Sequence, residues 1–181
     1  MEWGIHMAKL GKITLAVAVS LALALSTAAV AGASQPAPHS RPPVAQAAGL
    51  FSSTIKTAEF LVHAGLAFGA FHHFIYEPFE AGDFKHPSEH KATVVTAALA
   101  AVFVYHEVKE AASDAQGSKA LKTLFAPVTV LAAKFGSLGS ALKSGNASSI
   151  SGIESSVGSI ESSASKDGHS IKEVAPPLSS L

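Results

Sequence analysis

Two segments of 17 residues constrain the fold most, because each is apolar on nearly every side of a helix. They are residues 60–76 and 92–108, and the link between them, residues 77–87, contains two prolines and a glycine that favour turns. Such a short link predicts that the two helices fold back on each other as an antiparallel hairpin. Helices with almost no polar face must be shielded on several sides. We therefore expect either the later helices of the chain or lipid to cover them.

Helical periodicity runs through the rest of the chain, and no segment has the alternation of a strand. The sequence therefore predicts an all-α fold, a small antiparallel bundle of about four helices within residues 50–165. Ser88 is the expected N-cap of the second helix, and Pro127 is expected to kink or split the third. Gly65 and Gly69 would let another backbone approach the first helix closely. The expected helices cover residues 52–76, 89–115, 118–143 and about 150–164.

The fourth helix differs from the others, since one apolar stripe crosses a surface made mostly of serine and glycine. Serine is a mediocre helix former. We therefore expect this helix to be stabilised by packing its stripe into a groove between the preceding helices. The stripe consists of Ile150, Ile153, Val157, Ile160 and Ala164. Residues 166–181 contain two adjacent prolines and are predicted to form a flexible tail.

The N-terminus has the pattern of a secretory signal peptide over residues 1–33. Two lysines precede an apolar run, residues 13–25, and small residues follow it up to Ala33, the expected cleavage point. The run is shorter than the roughly 20 residues that a transmembrane helix needs. Met7 would open a cleaner signal peptide than the first methionine. Residues 34–49 hold four prolines and are predicted to be a flexible Pro/Ala-rich spacer.

Composition excludes several classes of function. The chain has 13 basic and 13 acidic residues, so it lacks the positive charge that drives nucleic-acid binding. It has no cysteine, which excludes a disulfide scaffold, a thiolate metal site and a cysteine nucleophile. No nucleophile elbow, phosphate-binding loop or zinc-protease motif occurs in the sequence. We therefore predict a protein that is not an enzyme, with no catalytic residue and no cofactor.

Histidine is the residue type that most suggests chemistry. His86 and His90 have the four-residue spacing that can chelate a metal on one helix, but Pro87 lies between them. His72 and His73 are adjacent and would point about 100° apart, which argues against convergence. A metal or haem site therefore stays an alternative to histidines that form hydrogen bonds at the rim of the bundle. The histidines beyond the spacer are His63, His72, His73, His86, His90, His106 and His169.

One acidic residue and one histidine are expected to meet between the first two long helices. Counted back from the hairpin turn, Glu59 lies about level with His106. The pair has no attached nucleophile, so we interpret it as a polar tie between helices rather than an active site.

Three stretches resemble small exported actinobacterial proteins of unknown function. They are residues 70–84 (AFHHFIYEPFEAGDF), His90 with Lys91, and residues 103–109 (FVYHEVK). The resemblance spans about residues 60–180. It implies no activity, ligand or partner, so it assigns no functional residue.

These observations predict a secreted or cell-envelope helical protein with a structural or interaction role. Its expected partner is an envelope or extracellular protein, with membrane association left open. The alternatives are a histidine-based metal or haem protein and a small integral membrane protein. The second follows from the two 17-residue apolar segments, which are at the short limit for crossing a bilayer.

Overall fold

The computed structural model of the protein describes residues 43–181. The predicted signal peptide and the first part of the predicted spacer lie outside these residues. Throughout the described range the secondary structure is helical, with no strand, which confirms the all-α fold. The α-helices are α1 Pro43–Phe71, α2 Glu77–Ala81, α3 Lys91–Gly117, α4 Phe125–Lys143 and α5 Ile150–Lys166.

The first helix begins earlier than the sequence predicted. Residues 43–49, assigned to the flexible spacer, are the first turns of α1. A proline suits the first helical position, because its fixed φ matches the helix and its missing N–H would have no partner there. Three alanines lie among residues 45–48 and favour the helix. After Phe71 the chain makes a π-helical turn, His72–Tyr76, and continues directly into α2.

The hairpin connection is more ordered than a simple loop. Gly82 ends α2 with φ +86°, a left-handed conformation that glycine adopts without strain. A 3-10 turn, Asp83–Lys85, follows, and α3 then starts at Lys91. The prediction that Ser88 is the N-cap is wrong. His90 holds that position without a side-chain capping bond, because a backbone turn closed at His86 occupies the preceding residues.

The third predicted helix is shorter than expected at its N-terminus. Residues after Ser118 form turns, and α4 begins only at Phe125. Pro127 therefore lies in the first turn of α4, where its missing N–H costs no intrahelical bond. The predicted kink or split at Pro127 is therefore absent, and the helix begins just before this proline instead.

The core lies around α3, which packs closely against both α1 and α4. Phe71 of α1 meets Phe135 of α4 edge-to-face, with ring centroids 5.3 Å apart. The small residues of α3 allow close approach: a Cβ on Gly139 of α4 would sit 3.5 Å from the carbonyl oxygen of Ala98. The largest fully buried side chains are Phe60, Phe68, Phe71, Ile75, Leu121, Leu124, Leu131, Phe135, Leu138, Leu142, Ile150 and Ile153.

The apolar stripe of α5 is buried along its whole length, as the sequence predicted. Every member, from Ile150 to Ala164, is at most 2% exposed. The helix has no side-chain N-cap, and several of its serines bond back to the carbonyl four residues earlier. Because such bonds and serine itself do little for a helix, burial of the stripe stabilises α5.

Two described helices are long and apolar enough to cross a membrane by length and composition alone. They are Lys91–Gly117 and Phe125–Lys143. The core helices of soluble proteins pass the same criterion. In this structure α3 packs against both α1 and α4, whereas Val95, Leu99 and Val102 of α3 and Val130 of α4 stay exposed.

Candidate functional site

Residues 170–181, hereafter the strap, do not form the loose tail that the sequence predicted. The strap runs back from α5 and crosses α1, where the Val174 amide donates to the carbonyl oxygen of Gly65 at 3.0 Å. Ile171 and Leu181 pack against the edge of the core, and Pro176 is buried. The contact is mainly between backbones, so it leaves no hydrophobic periodicity in the sequence.

Two glycines of α1 make this crossing possible. A Cβ on Gly65 would overlap the carbonyl oxygen of Lys172, and one on Gly69 would overlap the backbone of Val174. The close backbone approach predicted at these glycines is therefore confirmed. Any larger residue at either position would force the strap away from α1.

A histidine clamps the strap between α1 and α5. His72 Nδ1 lies 2.6 Å from Glu173 Oε2 on the strap, and its Nε2 lies 2.6 Å from Glu154 Oε2 on α5. Carboxylates accept hydrogen bonds, so both ring nitrogens donate and the imidazole is positively charged. Burial opposes that charge, but the bonds to Glu173 and Glu154 outweigh it and raise the pKa of His72 above its usual value of 6.5.

A third carboxyl group completes this cluster. Glu161 lies on α5 seven residues after Glu154, on nearly the same side of the helix. Burial, reinforced by a hydrogen bond and repulsion from Glu173, raises the pKa of Glu161 to about 7. Near neutral pH the group is therefore partly protonated and can donate to Glu173.

We expect strap docking to weaken as pH rises from about 4.5 through about 7 and above. Glu161 has a folded pKa above its unfolded value of 4.5, so its ionisation on going up in pH opposes docking. His72 also has a raised pKa, so its contribution is complete at low pH and is lost as its proton leaves. The protection factor of the Val174 amide in hydrogen exchange should fall several-fold over this range.

The matched control for this pH dependence is Glu161→Gln. The amide cannot ionise and can still donate to Glu173, so this variant should keep more of its Val174 protection at the alkaline end. Equal protection at both ends of the range in the unmodified protein would contradict the assignment of these groups as the cause.

A second polar cluster ties α1 to α3. Lys56 Nζ bridges Glu59 Oε2 at 2.6 Å and Asp114 Oδ1 at 2.9 Å. Hydrogen bonds to Glu59 and then Asp114 raise the pKa of Lys56, and the bond from Lys56 lowers the pKa of Glu59. Asp114 is buried, and its Oδ2 forms no hydrogen bond but lies 3.9 Å from His63 Nε2. This cluster is a structural tie with a single cation at its centre.

The predicted contact between Glu59 and His106 is wrong. Glu59 pairs with Lys56, and His106 is exposed. His63, one turn after Glu59, instead donates from Nδ1 to Glu107 Oε2 at 2.8 Å. The position of the predicted contact along α3 was correct within one residue. However, Glu107 rather than His106 points towards α1.

The histidines do not converge on one site. Across residues 43–181 no three His, Asp or Glu side chains are grouped so that they could hold a metal ion. His72 is held by two glutamates, His73 and His90 each lie near a different single carboxylate, and His86 is exposed. The four histidines that the sequence placed near one end of the hairpin are thus distributed over separate contacts.

One side of α1 carries an uncovered apolar surface, hereafter the outer face. Large side chains remain more than half exposed there, although they belong to a helix whose other side is in the core. The strap covers α1 only at its C-terminal part, around Gly65 and Gly69. The outer face consists of Leu50 (64% exposed), Phe51 (71%), Ile55 (57%) and Val62 (59%).

Sequence reasoning missed both the carboxylate clamp and the outer face. A signal for the clamp was present: Glu154 and Glu161 are the only charged residues within the serine-rich part of α5, and they are seven apart. Glu173 gave no signal, since it lies in a segment without periodicity. The outer face was hidden because α1 is apolar on both sides.

The comparisons with known proteins return no relative. No protein family, no curated protein and no solved structure matches this chain.

Proposed function

We propose that this chain is an exported, non-enzymatic interaction protein of the cell envelope that docks through the outer face of α1. The observation that carries the proposal is the exposure of Leu50, Phe51 and Ile55, each more than half open to solvent on one helix. Contiguous apolar surface is costly to leave in water and is typical of docking sites. The signal-peptide pattern of residues 1–33 supports export, which would expose this surface outside the cytoplasm.

The polar clusters support a structural rather than a catalytic role for their side chains. His72 has both ring nitrogens engaged by carboxylates, and Lys56 is held between two acidic side chains. Groups with this arrangement fix one helix against another. A catalytic base needs a free nitrogen or oxygen within reach of substrate.

The strap supports the proposal in a second way. It covers the continuation of the same side of α1, and the groove beside it is lined by Leu61, Leu66 and Val174. The area of apolar surface offered to a partner therefore depends on whether the strap is docked. The contacts of His72 with Glu154 and Glu173 hold the strap in place, so a loss of the His72 proton would change that area.

Retention in the envelope of the producing cells tests this function. We expect the unmodified protein to be recovered mainly with the envelope and Phe51→Ser/Ile55→Ser mainly in the medium. Val95→Ser/Val102→Ser is the matched control, because it removes the same kind of exposed side chain from α3. If both double variants distribute like the unmodified protein, the outer face is not a docking surface.

A further inference from the structure

We propose that the outer face of α1 binds the surface of an anionic lipid bilayer, with α1 lying in the plane of the interface. This inference rests on the proposed docking function and names its partner. It is carried by the apolar arc of α1 together with the basic side chains at the edge of that arc.

The arc is wide and free of charge. At about 100° per residue, the residues of α1 from Leu50 to Leu66 that share the outer face span roughly 160° of the helix surface. None of them is ionisable. Lys56 and His63 lie on the other side, where they contact α3. Glu59 lies beside the arc, and its charge is paired with Lys56 at 2.6 Å. The members are Leu50, Phe51, Thr54, Ile55, Ala58, Leu61, Val62, Gly65 and Leu66. A helix with this division of its surface is typical of interfacial membrane binding.

Two grooves extend the arc, and the only ionisable side chains along them are basic or histidine. A groove of about 430 Å³ runs from Leu50 to Leu61 and is edged by Lys119 and His169. A second of about 500 Å³ continues from Leu61 to Leu66 and is edged by Lys172. Neither groove has an aspartate or glutamate in its lining. An apolar trough with cations along its rim complements acyl chains below anionic headgroups.

The two lysines are far enough apart to contact separate headgroups. The Lys119 amide binds the Ser53 hydroxyl, and the Lys172 backbone lies against Gly65. Those α1 positions are twelve residues apart, about 18 Å along the helix axis. Cations at both ends would keep α1 parallel to the membrane rather than tipping one end into it.

The other exposed apolar stripe lacks these properties. On α3, Val95, Leu99 and Val102 are exposed, but the same side of the helix continues to Lys109 and Glu110. An acidic side chain on that stripe would face anionic headgroups and repel them. The α1 arc is therefore the lipid-binding candidate, and α3 provides the control.

Vesicle co-sedimentation tests the inference with the chain that starts at Ser34, the predicted exported form. The buried core cluster lies within residues 60–164, and the strap residues that pack against it follow, so this chain keeps the whole core. We expect binding to vesicles of phosphatidylglycerol and phosphatidylcholine to exceed binding to pure phosphatidylcholine by about thirtyfold, from two lysines near the surface. High salt should remove most of this difference.

Three variants separate the contributions. Phe51→Ser/Ile55→Ser should lower partitioning into both kinds of vesicle, by about a hundredfold on the anionic ones. Lys119→Gln/Lys172→Gln should remove the preference for anionic vesicles and leave weak binding to neutral ones. Val95→Ser/Val102→Ser should bind like the unmodified chain, and circular dichroism should confirm that all variants keep their helix content.

The outcomes distinguish this inference from the proposed function. If vesicles fail to bind the chain, or bind Phe51→Ser/Ile55→Ser equally well, the lipid assignment is wrong. Envelope retention that still depends on Phe51 and Ile55 would then leave the docking function standing with a protein partner. Loss of both dependences would overturn both conclusions.

Discussion

Phe71→Ala should lower the free energy of unfolding by about 3–5 kcal/mol, the largest effect we expect from one substitution. Phe71 is fully buried at the end of α1, and its ring contacts Phe135 edge-to-face and Tyr76 at a centroid distance of 6.0 Å. Truncation removes the transfer free energy of the ring and leaves a cavity between α1 and α4. Small domains are stable by about 5–15 kcal/mol in total, so much of the stability is lost.

The matched control is the same substitution on the same helix. Phe51 is 71% exposed, so Phe51→Ala should change the free energy of unfolding by no more than about 0.5 kcal/mol. Urea denaturation followed by circular dichroism measures both values. Equal losses for the two variants would mean that α1 does not pack into the core as described.

Gly65→Ala/Gly69→Ala should release the strap and lower the hydrogen-exchange protection of the Val174 amide by about a hundredfold. Each new methyl group would overlap strap backbone, which has no rotamer with which to move aside. The bond from Val174 to the Gly65 carbonyl and the reach of Glu173 to His72 are lost together.

The same double substitution has an opposite effect on the helix itself. Alanine is favoured over glycine inside a helix by about 1 kcal/mol at each position. The bundle should therefore unfold at nearly its original denaturant concentration while the strap becomes exchangeable. That separation of local from global stability distinguishes strap release from general damage to the fold.

Two other helical glycines supply the control for this variant. Gly152 and Gly158 of α5 have nothing within 4 Å of an added Cβ. Gly152→Ala/Gly158→Ala should raise global stability by about 1–2 kcal/mol and leave Val174 protection unchanged. If this control lost Val174 protection as well, or if Gly65→Ala/Gly69→Ala kept it, the backbone contact at α1 would not be what holds the strap.

Strap release would also affect the outer face of α1. An undocked strap would uncover Gly65 and Gly69 and lengthen the apolar arc of α1 towards its C-terminus. The outer face would then gain surface at the end where Leu66 lies. We expect Gly65→Ala/Gly69→Ala to retain more envelope association than Phe51→Ser/Ile55→Ser, because it keeps the outer face, although release moves Lys172 away from the rim of the groove.

The sequence predicted the elements whose periodicity is strong. The α5 stripe was read correctly from Ile150 to Ala164, because packing demands apolar residues at spacings of three and four. The hairpin of α1 and α3 followed from two apolar runs and a short link. Boundaries failed where a local rule competed with tertiary contacts, as at Ser88, or where a proline has two allowed roles, as at Pro43 and Pro127.

The local sequence thus determined an all-helical bundle, a buried stripe on α5, and two glycines at which a neighbouring backbone can approach α1 closely. Tertiary structure alone decided that this backbone is the chain's own C-terminal strap and that His72 meets carboxylates from two other segments. It also decided which side of α1 stays uncovered. When a helix is apolar on all sides, its sequence does not show which side will pack against neighbouring helices. Periodicity records which residues need burial, whereas the partner of each face depends on contacts between residues far apart in the chain.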